Sequence, residues 1–260
     1  MSSNPIGITD IKSLVSNAVS ENEVSDAAGQ IMISSLNDTN ILGCTGVDVD
    51  DLTVDNVTLV SIALDASYSM YEHEQTVREA YDELVIKAMK ESKQANSMLV
   101  STRVFDETDR ILYGFKKVED VGKVGSQYTA QGGATLLHDT AIAAMTGIRA
   151  YAKNLNDSGV QTKCIVVVMS DGGNNTGTLS PDPVKKLAED CIKSEMFYLV
   201  YVGFKQHSSD NLEAIGKSMG FPNVLTAAKS PSEMRKAMGL VSQSIIRASQ
   251  TQVGPSNSFF

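Results

Sequence analysis

The sequence lacks the signatures of two common classes of nucleotide-binding enzyme. No G-x-G-x-x-G motif follows the first apolar segment, so the sequence offers no support for dinucleotide binding. The tetrapeptide IGKS at 215–218 resembles the end of a phosphate-binding loop, but Asn211 stands where that loop requires a glycine. The residues around IGKS have a helical pattern, which also argues against a glycine-rich loop at this place.

Cysteine and excess positive charge are scarce as well. The three cysteines, Cys44, Cys164 and Cys191, form no C-x-x-C pair, which is typical of reduced thiols in a cytosol-like compartment. The net charge of −9 argues against nucleic acid or an anionic membrane surface as the main partner. No apolar run approaches membrane-spanning length, and the first residues lack the basic and apolar regions of a secretory signal. We therefore expect a cytoplasmic protein without membrane insertion.

Residues 57–250 alternate between apolar strand patterns and amphipathic helix patterns. Near-continuous apolar strands separated by helices predict a mainly parallel sheet that is covered on both faces. The short connection at 106–109 predicts a hairpin, and hence one antiparallel strand. The expected fold class is therefore α/β, with a doubly wound, mainly parallel six-stranded sheet that contains one antiparallel strand.

Three further segments flank this domain. Residues 1–46 carry two helical patterns and are expected to form an N-terminal helical arm, which either packs on the domain or docks on another protein. Residues 47–56 have the composition of a solvated acidic linker. Residues 251–260 are polar, and we expect a disordered tail.

The polar residues that carry a chemical signal follow the ends of buried strands. Asp65, Ser67 and Ser69 alternate directly after the first strand, so their side chains point the same way. Asp171 follows a later buried strand, and Thr135 lies in a glycine-rich loop before a helix. Carboxylates and hydroxyls are hard oxygen ligands that suit Mg²⁺, Mn²⁺ or Ca²⁺. In open parallel sheets, ligands bind at the carboxyl ends of the strands.

These motifs, in this order, resemble the metal-ion-dependent adhesion site of von Willebrand factor type A (vWA) domains. The resemblance covers about three quarters of the chain, and it implies a divalent cation, Mg²⁺ or else Mn²⁺ or Ca²⁺. Ser67 and Ser69 would then ligate the metal directly and Thr135 directly or through water. Asp65 and Asp171 would act partly through water. One coordination position would be left for a glutamate or aspartate of a partner protein.

The resemblance implies two further features. Tyr68, Gly133, Gly172, Gly173, Asn174 and Asn175 would form a rim that contacts the partner. The segment DASYSMYEH also resembles the integrin β-type segment that binds an adjacent calcium ion, which would place Glu72 in a second metal site, although His73 is a poor calcium ligand. Members of the family without export signals resemble partners or adaptors of AAA+ ATPases, including the MoxR-type group.

The expected function is that of a divalent-metal-dependent protein-binding module, not an enzyme. Two alternatives stay open at the level of the sequence. One is a self-assembling structural protein whose helical arm inserts into a neighbour. The other is a hydrolase that uses the metal to activate water, although no nucleophilic aspartate with a suitably placed lysine or histidine is evident.

Overall fold

The protein contains one six-stranded sheet, seen in a computed structural model that describes residues 7–37, 40–177, 179–251 and 259–260. The strands are β1 (Asn56–Asp65), β2 (Met98–Phe105), β3 (Asp109–Lys117), β4 (Gln161–Ser170), β5 (Phe197–Lys205) and β6 (Asn223–Ala228). Their order is β3-β2-β1-β4-β5-β6, and every neighbouring pair is parallel except β2 and β3. The predicted fold class is confirmed, including the antiparallel strand.

Helices cover both faces of this sheet, as near-continuous apolar strands require. The helices are α1 (Ile8–Ser20), α2 (Asp26–Ser35), α3 (Glu74–Ala80), α4 (Lys87–Lys90), α5 (Leu137–Asp157), α6 (Pro181–Lys193), α7 (Leu212–Ser218) and α8 (Pro231–Gln250). One core packs α5 and α6 against the sheet, and the second packs α3, α4 and α8 against the opposite face.

The segment 72–95 has the amphipathic pattern of one long helix, but the structure divides it. A 3₁₀ turn, Tyr68–His73, precedes α3, and a π-helical turn, Tyr81–Ile86, joins α3 to α4. The buried Tyr81 hydroxyl lies 2.5 Å from both Thr102 Oγ1 and the Tyr113 hydroxyl of the sheet. The local pattern does not reveal the π-helical turn, because the contacts that accompany it are made with strands distant in sequence.

The N-terminal arm packs on the domain through α1 and α2. Ile11, Val15, Val24 and Met32 are buried. The following segment differs from the predicted solvated linker, because its four apolar side chains pack against the core. They are Val47, Val49, Leu52 and Val54. The aspartates between them face solvent, so the acidic composition is explained by one exposed side of a packed segment.

The predicted disordered tail at 251–260 falls mostly outside the described residues. Its last two residues differ from the prediction, since Phe259 is 1% exposed and packs against Tyr198 with ring centroids 5.7 Å apart. Arg247 donates a 2.5 Å hydrogen bond to the Phe259 carbonyl. Among the described residues, no helix is both long enough and apolar enough to cross a membrane.

Candidate functional site

Asp65 ends β1 and lies at the carboxyl edge of the sheet beside the end of β4. One of its carboxylate oxygens accepts a 2.8 Å hydrogen bond from the Ser67 backbone N–H, and the other accepts a 2.5 Å bond from the Ser170 hydroxyl. The parallel pairing of β1 with β4 causes this approach, because Leu64 pairs with Met169 one position earlier on each strand. Asp65 is 1% exposed, so its carboxylate lies below the surface.

Ser67, Ser69 and Asp171 form a chain of hydrogen bonds above Asp65. The hydroxyls of Ser67 and Ser69 are 3.0 Å apart, and Ser69 donates a 2.8 Å bond to Asp171 Oδ1. Ser67 is buried, whereas Ser69 is exposed. The cluster of oxygens therefore opens to solvent at Ser69.

The Thr135 loop is held against both of the segments that contribute these residues. Gly132 accepts a 2.7 Å hydrogen bond at its carbonyl from the Tyr68 backbone N–H. On the other side, the Thr135 backbone N–H donates a 2.6 Å bond to the Asn175 side chain, and the Asn175 backbone N–H donates a 3.1 Å bond to the Thr135 carbonyl. Thr135 is 5% exposed. The loop thus lies between the β1 end and the loop after β4.

Lys229, which follows β6, brings a positive charge to this site. Its ammonium donates to Asp171 Oδ2 and, at 2.5 Å, to the Ser69 carbonyl. The side chains of Lys229 and Asp171 are 6% and 3% exposed, so this ion pair is buried.

No family model and no curated protein matches this sequence. Solved structures do match the fold. The PilB minor pilin from Streptococcus sanguinis has a TM-score of 0.54 and 11% identity over 76% of this chain and 63% of that chain. The pilus adhesin SpaC from Lactobacillus rhamnosus GG has a TM-score of 0.55 and 12% identity over 75% of this chain and 30% of that chain. Proximal thread matrix protein 1 from the mussel byssus has a TM-score of 0.50 and 13% identity over 75% of this chain and 46% of that chain.

This chain has a vWA-like α/β fold. The strand order, the antiparallel β3 and the covering helices agree with the α/β fold that the alternating strand and helix patterns predict. The chain spans less than two thirds of the length of each of these three solved proteins. At such low sequence identity, the likeness establishes the fold alone.

Burial shapes the electrostatics of this candidate site. Burial raises the pKa of Asp65 to about 6, against the effect of hydrogen bonds from Ser170 and Ser67, and the nearby Asp171 charge raises it further. Two ionised carboxylates close together, one of them almost fully buried, destabilise the folded state unless a positive charge lies beside them.

The oxygen atoms at the site fit a hard divalent cation. Carboxylates and hydroxyls are the donors such a cation prefers. The Lys229 ammonium already contacts one of these oxygens, Asp171 Oδ2, together with the backbone carbonyl of Ser69. The described residues contain no group of three or more histidine, cysteine, aspartate or glutamate side chains that could hold a metal. A metal here would therefore depend on the serine hydroxyls as much as on the carboxylates.

The residues predicted to form a rim differ in exposure and in their contacts. Tyr68 is 65% exposed and stacks on the exposed Tyr71, with ring centroids 5.6 Å apart. Gly133 is exposed, and Gly172 and Gly173 are half-buried. The two asparagines also bind the loop to its neighbours, since Asn174 accepts a 3.1 Å bond from the His138 N–H and Asn175 contacts Thr135 as described above. Glu72 is exposed on the Tyr68–His73 turn, where a second metal site stays a prediction.

Sequence reasoning missed three residues that support the site. Ser170 binds the Asp65 carboxylate, Tyr128 donates a 2.6 Å bond to the Asp65 carbonyl, and Lys229 pairs with Asp171. Ser170 directly precedes Asp171, and Lys229 follows a predicted parallel strand. Both residues could therefore have been identified by their position at the carboxyl end of a strand. Tyr128 had no such signal, because it lies in a loop.

One G-x-S-x-G pattern, at 216–220, is typical of the nucleophile elbow of α/β-hydrolases but is not one here. Ser218 ends α7, and its hydroxyl donates a 2.8 Å bond to the Ile215 carbonyl of the same helix. An elbow requires a sharp turn from strand to helix.

Proposed function

We propose that this protein is a divalent-metal-dependent protein-binding module that recognises a carboxylate of its partner. The observation that carries the proposal is the hydrogen-bonded cluster of Asp65, Ser67, Ser69 and Asp171, which opens to solvent at Ser69. Ser67 and Ser69 would hold the metal directly, Thr135 directly or through water, and Asp65 and Asp171 partly through water. The metal would supply a positive charge that is incompletely neutralised by neutral hydroxyl ligands.

An under-neutralised cation favours an acidic ligand, because a partner carboxylate then gains a charge-assisted interaction at the open position. The exposed stack of Tyr68 and Tyr71 lies on the turn that also carries Ser69. Exposed tyrosines offer a rigid apolar surface with a polar tip, a combination that is enriched in protein interfaces. The proposed contact surface therefore combines a central charge with an aromatic border. A MoxR-type AAA+ ATPase is one candidate partner class.

One protein that shares the fold supports a binding role, since SpaC is a pilus adhesin. The proposed role for this chain is likewise binding and not catalysis.

The first test measures metal binding by the wild type and by variants of the proposed ligands. Isothermal titration of the wild type with Mg²⁺ and Mn²⁺ is expected to give saturable binding. We expect Ser69→Ala to weaken it by about tenfold or more, since a direct ligand is lost. Asp65→Ala is expected to abolish it. The matched control is Ser218→Ala, which removes a serine hydroxyl from α7, a helix that carries none of the proposed ligands.

A peptide array then tests the partner chemistry. Peptides with a central Asp or Glu are expected to be retained in Mg²⁺ and released by EDTA, while the matched Asn and Gln peptides are not retained. Retention of acidic and amide peptides alike, or retention that survives EDTA, would contradict the proposal.

A further inference from the structure

The strongest unexplained feature of the site is a lysine ammonium that contacts a carboxylate proposed to take part in metal binding. Lys229 reaches Asp171 Oδ2 and the Ser69 carbonyl from the connection between β6 and α8. The same Asp171 accepts the Ser69 hydroxyl at its other oxygen. The ammonium thus contacts two of the residues assigned to the metal.

We propose that Lys229 is the resident cation of the metal-free site and that a divalent metal has to displace its ammonium from Asp171. Lys229 thereby sets the metal affinity of the site. This inference rests on the proposed function, because it assigns a residue that tunes the same metal site.

The burial of the ion pair explains why the competition is strong. The side chains of Lys229 and Asp171 are both more than nine-tenths buried. Two positive charges close together in such an environment repel each other strongly, so the ammonium and the metal are not expected to share Asp171. The state that binds metal is then the one in which Lys229 has left, and its population scales the apparent affinity.

The backbone around Lys229 lets the side chain move without disrupting the sheet. The Lys229 N–H donates a 2.8 Å bond to the Lys205 carbonyl, which continues the pairing of β5 with β6. The next residues, Ser230 and Pro231, begin α8, and the buried Met234 anchors that helix one turn later. We therefore expect displacement to proceed by rotation of the flexible Lys229 side chain while the backbone pairing is kept.

The test compares metal affinity among three variants by titration with Mg²⁺ and Mn²⁺. Lys229→Met removes the competing charge and is expected to tighten metal binding by about tenfold or more. Lys229→Gln, which keeps a polar side chain and serves if the first variant folds poorly, is expected to shift the affinity in the same direction. The matched control is Lys217→Met, which removes a lysine from an exposed pair with Glu213 and is expected to leave the affinity unchanged.

A second measurement follows thermal unfolding with EDTA and with saturating Mg²⁺. Without metal, Lys229→Met leaves Asp171 buried and unpaired, so its midpoint should fall below that of the wild type. With Mg²⁺, the rise in midpoint should be larger for the variant than for the wild type, because tighter binding stabilises the folded state more.

The outcomes separate this inference from the proposed function. Equal metal affinity in the wild type and in Lys229→Met would overturn the inference and leave the proposed function intact. Absence of metal binding in both would overturn the proposed function and this inference with it. Metal binding by Lys229→Met alone would support the competition and contradict metal dependence of the native chain.

Discussion

At the scale of single residues, the candidate site depends on a close approach of the Thr135 loop to the connection between β2 and β3. Only glycine permits this approach. A side chain at Gly132 would overlap the Cβ of Asp106 and lie 2.7 Å from its Cγ. Gly132 also forms the backbone bridge to Ser67. The adjacent Gly133 has open space where a Cβ would stand. The two neighbouring glycines therefore have different reasons to be present.

Gly132→Ala is expected to lower the free energy of unfolding by about 1–3 kcal/mol, because the added methyl forces the Thr135 loop away from its neighbours. The same displacement should weaken metal binding at the proposed site. Gly133→Ala, the matched control, should stay within about 0.5 kcal/mol of the wild type. Urea denaturation followed by circular dichroism measures both variants, and similar losses for the two would show that the contact with Asp106 is unimportant.

At the scale of elements, charged residues at the end of α5 fix the N-terminal arm. Lys153 lies 2.5 Å from both Glu21 and Asp157, and Arg149 donates to the Glu23 carbonyl and pairs with Asp190 at 3.3 Å. Lys153 is 16 positions after the start of α5, which corresponds to about 24 Å along a helix. The Thr135 loop precedes the opposite end of that helix.

This separation bears on what the arm can do. Glu21 and Glu23 are held far from the proposed metal site. While the arm is docked, neither residue can therefore provide the carboxylate ligand for the open coordination position of the metal. The arm also buries Ile11, Val15 and Met32 against its own domain. We therefore expect the arm to stabilise the fold of its own chain, and deletion of residues 1–46 should expose this apolar surface and destabilise the domain.

Arg149→Met tests how the arm is attached. The variant leaves Asp190 unpaired at a side-chain exposure of 11% and removes the bond to Glu23, so a loss of about 3 kcal/mol is expected. Limited proteolysis should also become faster at the connection between α1 and α2.

Lys185→Met is the matched control for this experiment, because it removes a cation from an exposed pair with Glu189 on α6. Its effect should not exceed about 0.5 kcal/mol. Unchanged proteolysis of the arm in Arg149→Met would mean that apolar packing alone holds the arm in place.

At the scale of the whole molecule, Phe259 near the end of the chain is part of the second core. Phe259 packs against Tyr198, and its backbone contacts Arg247 and Asn223. An aromatic side chain that is 1% exposed stabilises the fold through its burial, whatever its position in the sequence.

Phe259→Ala should therefore lower the free energy of unfolding by about 3–5 kcal/mol, as expected for a large cavity in a core. Phe260→Ala is the matched comparison, because its side chain is 37% exposed, and its loss should be smaller. Equal midpoints in urea for Phe259→Ala and the wild type would contradict a structural role for the last residues.

The sequence by itself determined the sheet and the strand ends at which these polar residues cluster. Apolar strands buried on both faces can be satisfied only by helices on each side, and polar residues at the ends of parallel strands meet at one edge. Asp65, Ser67, Ser69 and Asp171 could be named in advance for this reason.

Tertiary structure alone decided the features that depend on contacts between distant segments. The π-helical turn is accompanied by contacts between Tyr81 and the sheet, and the packing of 47–56 depends on a core that lies elsewhere in the chain. The pairing of Lys229 with Asp171 joins residues that are 58 positions apart. The local sequence pattern indicates which side chains must be buried or paired. The residues they contact are determined only by the order of the strands in the sheet, which brings distant segments together.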